Sequence, residues 1–144
     1  MAGKDTCGAV LKQIHDVLEK QANNTLRGQG LTFSQSAVLM LLYEREGGTA
    51  AFKELEKDFG VAQPTMAGIL SRLEQKKLIA VLEDAEDKRI RRAHLTQAGE
   101  EKCREGYRHM KATEERLLCG LTEEEKAELL RLLIKVQASV KEKN

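Results

Sequence analysis

The sequence predicts a mainly α-helical protein carrying one small β-hairpin. Three observations predict it: apolar residues recur at helical spacing over most of the 144 residues, one strand-turn-strand segment follows a pair of short helices, and proline occurs once. Hydrophobic residues make up 41% and charged residues 33%, with no tryptophan, the composition of a soluble globular chain rather than a disordered one. The length suits one domain, or a compact domain with an oligomerisation appendage. No segment reaches the roughly 18 apolar residues of a membrane span, and the N-terminus lacks a basic head followed by a long apolar run. A cytoplasmic protein with no membrane partner is therefore expected. Cys7, Cys103 and Cys119 are an odd set without a C-x-x-C pair, which points to reduced thiols.

From Cys7 to about Asn24, Val10, Leu11, Ile14, Val17 and Leu18 mark an amphipathic helix that NNTLRGQG should end. Thr32 with Gln35 three residues later forms a capping box for a second helix whose run AVLMLLY should be deeply buried. Glu46-Gly47-Gly48 stops that helix, and Thr49 to Ala51 can form a short extended link. Leu55 and Phe59 then fall on one side of a short helix, Gly60 supplies a tight turn, and Val61 plugs the corner. Pro64 fits a first helical turn, so the next helix should begin at about Gln63 or Pro64. Met66, Ile69, Leu70 and Leu73 form its apolar face, which completes the spacing of a helix-turn-helix.

After Lys77, LIAVLE reads as a strand, EDAEDK as a turn and IRRAHL as a returning strand, before Thr96 opens another helix. A hairpin directly after a helix-turn-helix is the layout of a winged helix. The remainder reads as two long helices split near Cys119-Gly120-Leu121. Thr122 and Glu125 form a capping box for the last of them, whose Leu129, Leu133, Val136 and Val140 step by four, three and four. A helix of about 20 residues is roughly 30 Å long, so this pair reaches past a small lobe. A second copy of the chain is the economical cover for its apolar surface.

Residues 83–92, EDAEDKRIRR, place four acids in five positions and then four bases in five, on a chain of net charge +1. A solvated turn with local ion pairs would explain the run; so would a hairpin tip that touches a polyanion. Near-neutrality excludes bulk attraction to nucleic acid but not a local basic face. Opposite the apolar face of the second helix of the motif lie Thr65, Gly68, Arg72 and Gln75, with Gln63 at its start. A hydroxyl, a position with no side chain and a guanidinium suit a helix that approaches base edges. Gly68 equally suits close packing against a neighbouring helix. Lys88, Arg89, Arg91 and Arg92 would supply a flanking arm able to enter a minor groove. Asp87 is placed to hold the Arg89 guanidinium, or simply to form the turn.

On Leu31-Thr32-x-x-Gln35, GVAQPTMAGILSRLE, Asp87-x-Arg89 and Leu95-Thr96-x-x-Gly99, with helices before and after in the same order, the chain resembles the MarR family of winged-helix transcriptional regulators. The resemblance covers nearly the whole chain. It implies a homodimer on a pseudo-palindromic operator in double-stranded DNA, with two recognition helices in the major groove and two wings in the flanking minor grooves. It divides the chain into an N-terminal dimerisation helix (1–30), a winged helix-turn-helix DNA-binding lobe (31–96) and C-terminal dimerisation helices (97–144). It also implies regulation, as a repressor, with relief by a small-molecule effector. The sequence departs from the family at Glu56, at Val81 and Leu82, and at Lys77, where the family's usual glycine would form a left-handed helix stop.

Other chemistry finds little support. Cys7 lies near the positive end of the first helix, where a thiol can be activated, so a redox-sensing regulator is an alternative. Cys103 and Cys119 read as buried packing residues. His15, His94 and His109 are scattered without metal-ligand spacing, and no phosphate loop, nucleophile elbow or metalloprotease helix occurs. No enzyme activity and no cofactor are expected. A winged-helix protein-interaction module is the alternative of another class.

Overall fold

The computed structural model describes residues 5–142. Helix α1 spans Cys7–Gln29, opened by Thr6, whose hydroxyl accepts the Ala9 N–H at 3.1 Å. It runs five residues beyond the predicted end at Asn24. Asn23 and Asn24 lie on its exposed side, and the apolar register continues to Leu26, which packs against the core. The stop is Gly30, at φ 72°, with the Gly30 and Leu31 N–H groups returning to the carbonyls of Arg27 and Leu26. Two asparagines cost a helix only about half a kcal/mol each, less than forgoing this cap and the Leu26 contact.

Helix α2 (Phe33–Glu44) is capped reciprocally by Thr32 and Gln35, both bonds at 3.2 Å. Its Val38, Leu39 and Leu42 are fully buried. A single 3-10 turn at Glu46–Gly48 leads into β1 (Thr49–Ala51), then α3 (Phe52–Phe59), Gly60 at φ 63°, and α4 (Gln63–Gln75). Strands β2 (Ile79–Glu83) and β3 (Arg91–Leu95) form the hairpin. The link at Thr49–Ala51 is more than extended: it pairs antiparallel with β3, giving a three-stranded sheet in the order β1-β3-β2. Ala50 opposite Ala93, both fully buried, lets the sheet lie close on the helices. Leu55, Met66, Leu70 and Leu73 fill the space between α2, α3, α4 and the sheet.

The chain continues in α5 (Gln97–Leu117) and α6 (Glu123–Glu142), the latter opened by the Thr122–Glu125 capping box. Residues through Arg108 form one compact unit and those from His109 a second. No helix among the described residues is long and apolar enough to cross a membrane.

At the end of α4 the lysine departure is corrected. Lys77 takes φ 63° and makes the left-handed stop without a glycine. Its N–H donates to the Glu74 carbonyl at 2.9 Å, and that of Leu78 to the Leu73 carbonyl at 3.0 Å, the paired bonds of a glycine-type helix terminus. Leu78 and Leu73 are both buried, so core packing enforces a turn that lysine alone disfavours. The start of α5 then closes on this turn. The Thr96 hydroxyl donates to the Lys77 carbonyl at 2.8 Å, its N–H to the Leu78 carbonyl at 3.1 Å, and its oxygen accepts the Gly99 N–H at 3.1 Å. A Cβ on Gly99 would lie 2.2 Å from the Leu78 carbonyl oxygen.

Two substitutions should therefore move stability in opposite directions in urea denaturation. Gly99→Ala should destabilise by about 2–3 kcal/mol, because backbone rather than a side-chain tip must yield. Lys77→Gly should stabilise by about 1 kcal/mol by relieving a left-handed lysine.

Candidate nucleic-acid interface

The buried side of α4 is set by Met66, Leu70 and Leu73, with Ile69 half-buried beside them. By helical periodicity the other side carries Gln63, Thr65, Gly68, Arg72 and Gln75, and all five are exposed. A Cβ built on Gly68 meets nothing within 4 Å, so no packing contact within the chain demands glycine there. The close-packing reading of Gly68 accordingly has no partner among the described residues. Ala62 precedes α4 without capping it by a side chain, and Pro64 has no N–H to offer.

The wing is built on aspartate. One carboxylate oxygen of Asp84 accepts the N–H groups of Glu86 and Asp87 at 3.1 and 3.2 Å, folding the tip. The Asp84 N–H donates to the Ile90 carbonyl at 2.8 Å and closes the hairpin. Asp87 then grips Arg89 three times: Oδ1 accepts the Arg89 backbone N–H and Nε–H, both at 3.0 Å, and Oδ2 accepts the Nη2 group at 2.9 Å. The turn-forming and guanidinium-holding readings of Asp87 thus describe one residue. The guanidinium lowers the Asp87 pKa first, the backbone bond second, and Asp87 in turn raises that of Arg89. The Arg89 side chain is 90% exposed, a planar cation held fixed in solvent.

Lys88 is exposed beside it. Arg91 lies over the Phe52 ring, its guanidinium carbon 5.0 Å from the centroid, which couples the wing to α3. Arg92 departs from the predicted arm. Its side chain is only 26% exposed and turns inward, where Nε–H donates to the Thr49 hydroxyl at 3.3 Å. Its Nη1 stands 3.6 Å from Asp84 and 3.9 Å from Glu54. Glu54 also accepts the Ala51 N–H at 3.0 Å and pairs with Arg45, which reaches Asp58 at 3.3 Å. The Ala51 bond is the largest influence on the Glu54 pKa and lowers it; burial opposes that, and Arg45 and then Arg92 add to the lowering. Arg92 is thus a tie between wing, β1 and α3. The signal was in the sequence: successive residues of a strand face opposite sides, so Arg91 and Arg92 could not both face outward.

The cysteines separate. Cys103 is buried, its Sγ–H donating to the Leu39 carbonyl at 3.4 Å, and burial with the nearby Glu100 pushes its thiol up to about 11. Cys119 corrects the expectation of burial: it is exposed, in the turn between α5 and α6 where Leu118 and Leu121 take the partly covered positions instead. Cys7 is exposed at the first residue of α1. His15, Asp16 and Glu19 approach one another on the exposed surface of α1, where His15 Nε2 lies 3.0 Å from a Glu19 carboxylate oxygen one turn on.

A helix-turn-helix whose second helix shows a polar face around an unpacked glycine, followed by a hairpin ending in a fixed arginine, defines a winged helix-turn-helix protein. The MarR family model matches residues 29–90. A single-substitution variant of S. aureus MepR is similar over 94% of this chain and 98% of its own, at 26% identity and TM-score 0.84. An S. aureus MepR–DNA complex matches over 93% and 98%, at 26% identity and TM-score 0.69. S. aureus MepR bound to ethidium bromide matches over 96% and 99%, at 25% identity and TM-score 0.75. The lobe at residues 29–90 is thus similar to the MarR family, and nearly the whole chain shares the fold of these MepR structures.

The buried thiol has a measurable consequence. Folding favours the protonated form of Cys103, so the stability it contributes is complete below the ordinary cysteine range and declines as pH rises toward about 11. At about pH 8, where an ordinary thiol is partly ionised, Cys103 should resist iodoacetamide until the protein unfolds. Labelling of Cys103 in the native state, read by peptide mass mapping, would contradict this.

Proposed function

We propose that the protein is a homodimeric, sequence-selective double-stranded DNA-binding regulator that represses transcription from a pseudo-palindromic operator. In this reading residues 31–96 bind DNA, and residues 1–30 and 97–144 dimerise. Gln63, Thr65, Gly68, Arg72 and Gln75 meet the major groove, Lys88, Arg89 and Arg91 the flanking backbone and minor groove, and Asp87 orients Arg89. The observation that carries it is the Arg89 guanidinium, held on three bonds by Asp87 yet 90% exposed. A solvated turn has no need of a rigid cation, whereas a narrow groove rewards one whose side-chain entropy is already lost. The uncapped first turn of α4 adds backbone N–H groups suited to a phosphate. The relative solved with DNA supports the same assignment.

Dimerisation is supported by α1 and α6, neither of which has a single buried residue among those described. Val10, Leu11, Ile14 and Val17 on α1, and Leu130, Leu132, Leu133, Ile134, Val136 and Val140 on α6, are all exposed in the isolated chain. Isolated helices of this length are marginal in water, and a packed apolar face is what stabilises them. A second copy supplies that face for both chains at once. A small-molecule effector is supported by the ethidium-bound relative. It would act by altering the separation of two recognition helices that must meet major-groove faces about 34 Å apart.

Sedimentation at micromolar concentration should return a dimer; a well-folded monomer would refute the assembly. Selection from a randomised duplex pool should return a two-fold-related site, and its affinity should fall steeply with salt. Arg89→Ala should weaken selected and scrambled duplexes alike and reduce the log-log salt slope by about one, with Asp87→Ala a weaker copy. Arg72→Ala should cost about 1–3 kcal/mol and relax preference at one position. Unchanged affinity and slope for Arg89→Ala would return the acidic-basic run to a solvated turn.

A further inference from the structure

The core of the described lobe holds one buried polar residue, Gln35, 4% exposed. Its Oε1 accepts the Thr32 N–H at 3.2 Å, and it also accepts a charged donor: the Lys76 ammonium, at 2.7 Å. The same ammonium donates to the Gly30 carbonyl at 2.5 Å. These partners lie 46 and 41 residues from Lys76 in sequence. Gly30 is the C-cap of α1, where carbonyls lack helical partners and the helix dipole is negative, so a cation is favoured there. Lys76 is the C-cap of α4. One side chain therefore joins the end of the polar-faced helix to the end of α1 and the capping box that starts α2.

Periodicity offers a different role for Lys76. It follows Arg72 by about one turn, and an exposed lysine at that place is a natural phosphate contact. Lys76 is exposed, but its hydrogen bonds direct the ammonium toward the α1–α2 junction, with two of its three donors taken by protein acceptors. We propose that Lys76 is a positioning residue, a latch that fixes α4 against the α1–α2 junction and passes movement of α1 to the reading face. Because α4 is anchored at its C-terminal end to the element that ends in Gly30, a shift of α1 changes the angle at which Gln63, Thr65 and Arg72 are presented. The role in DNA reading rests on the function proposed above; the latch itself does not.

The test uses full-length Lys76→Met, which keeps the aliphatic stem and removes the cation, and Lys76→Arg, which restores a donor able to reach two acceptors. Without DNA, amide hydrogen exchange at Thr32 and its neighbours should accelerate in Lys76→Met and recover toward the parent rate in Lys76→Arg. With DNA, Lys76→Met should lose about tenfold in affinity for the selected duplex and much less for a scrambled one, with the salt slope unchanged. Lys76→Arg should regain most of that selectivity. A uniform loss on both duplexes, with the slope lower by about one, would make Lys76 a phosphate contact and overturn the proposal. Unchanged exchange at residues 30–36 would overturn the latch whatever the DNA result. Absence of duplex binding by the parent protein would sink the function proposed above and the reading role with it, while exchange would still decide whether the latch exists.

Discussion

The geometry of the lobe depends on one close approach, that of α5 to the turn which ends α4. Within a few residues, Lys77 reverses the chain at positive φ, Leu78 enters the core, and Thr96 takes the carbonyls of both. Gly99 then lies against the Leu78 carbonyl with no room for a Cβ. This contact fixes where α4 stops and β2 begins, so it sets the angle between the polar face of α4 and the hairpin. An irregular turn in which each backbone group is satisfied and apolar contacts are buried on both sides has few alternative arrangements. The lysine at φ 63° persists because those surroundings over-determine it.

The wing follows a similar logic with charges instead of apolar groups. Its acids do not merely balance its bases. Asp84 folds the tip and meets Arg92, Asp87 holds Arg89, and Glu54 at the start of α3 draws Arg92 and Arg45 to one carboxylate. Most of these pairs are partly solvated, and single pairs of that kind contribute little to stability. Their larger effect is geometric, since each guanidinium is assigned to one side of the sheet. A run that looks like simple charge sorting in the sequence becomes one cation turned inward, one stacked on Phe52 and one held out in solvent.

The helices at the two ends answer a different constraint. A small lobe with a core of Leu, Val, Met and Ala leaves α1 and α6 without a buried residue among those described in the isolated chain. The Lys76 contacts with Gly30 and Gln35 tie the end of α4 to the end of α1, so in the proposed dimer a change in the packing of α1 would be felt at α4.

Much of this was legible beforehand because it depends on local chemistry. The Thr32–Gln35 and Thr122–Glu125 capping boxes, the Gly60 turn, the start of α4 around Pro64, and its division into apolar and polar faces all rest on neighbours within four or five residues. So does the Asp87–Arg89 pair, two residues apart in a turn. What could not be read involves partners far apart in sequence. Burial of Leu26 carries α1 past two asparagines, pairing with β3 makes a strand of Thr49–Ala51, and the core forces Lys77 into a glycine's conformation. Strand alternation alone says that Arg91 and Arg92 face opposite sides, but the partners Arg92 finds in Thr49 and Glu54, the reach of Lys76 to Gly30 and Gln35, and the outward position of Cys119 were likewise not readable. Sequence alone determined where the helices and turns begin and which face of each is apolar, because side-chain period and capping act over one turn. Tertiary structure alone decided which polar groups found partners far along the chain, because a buried donor or acceptor must be satisfied by whatever the fold brings within about 3 Å of it.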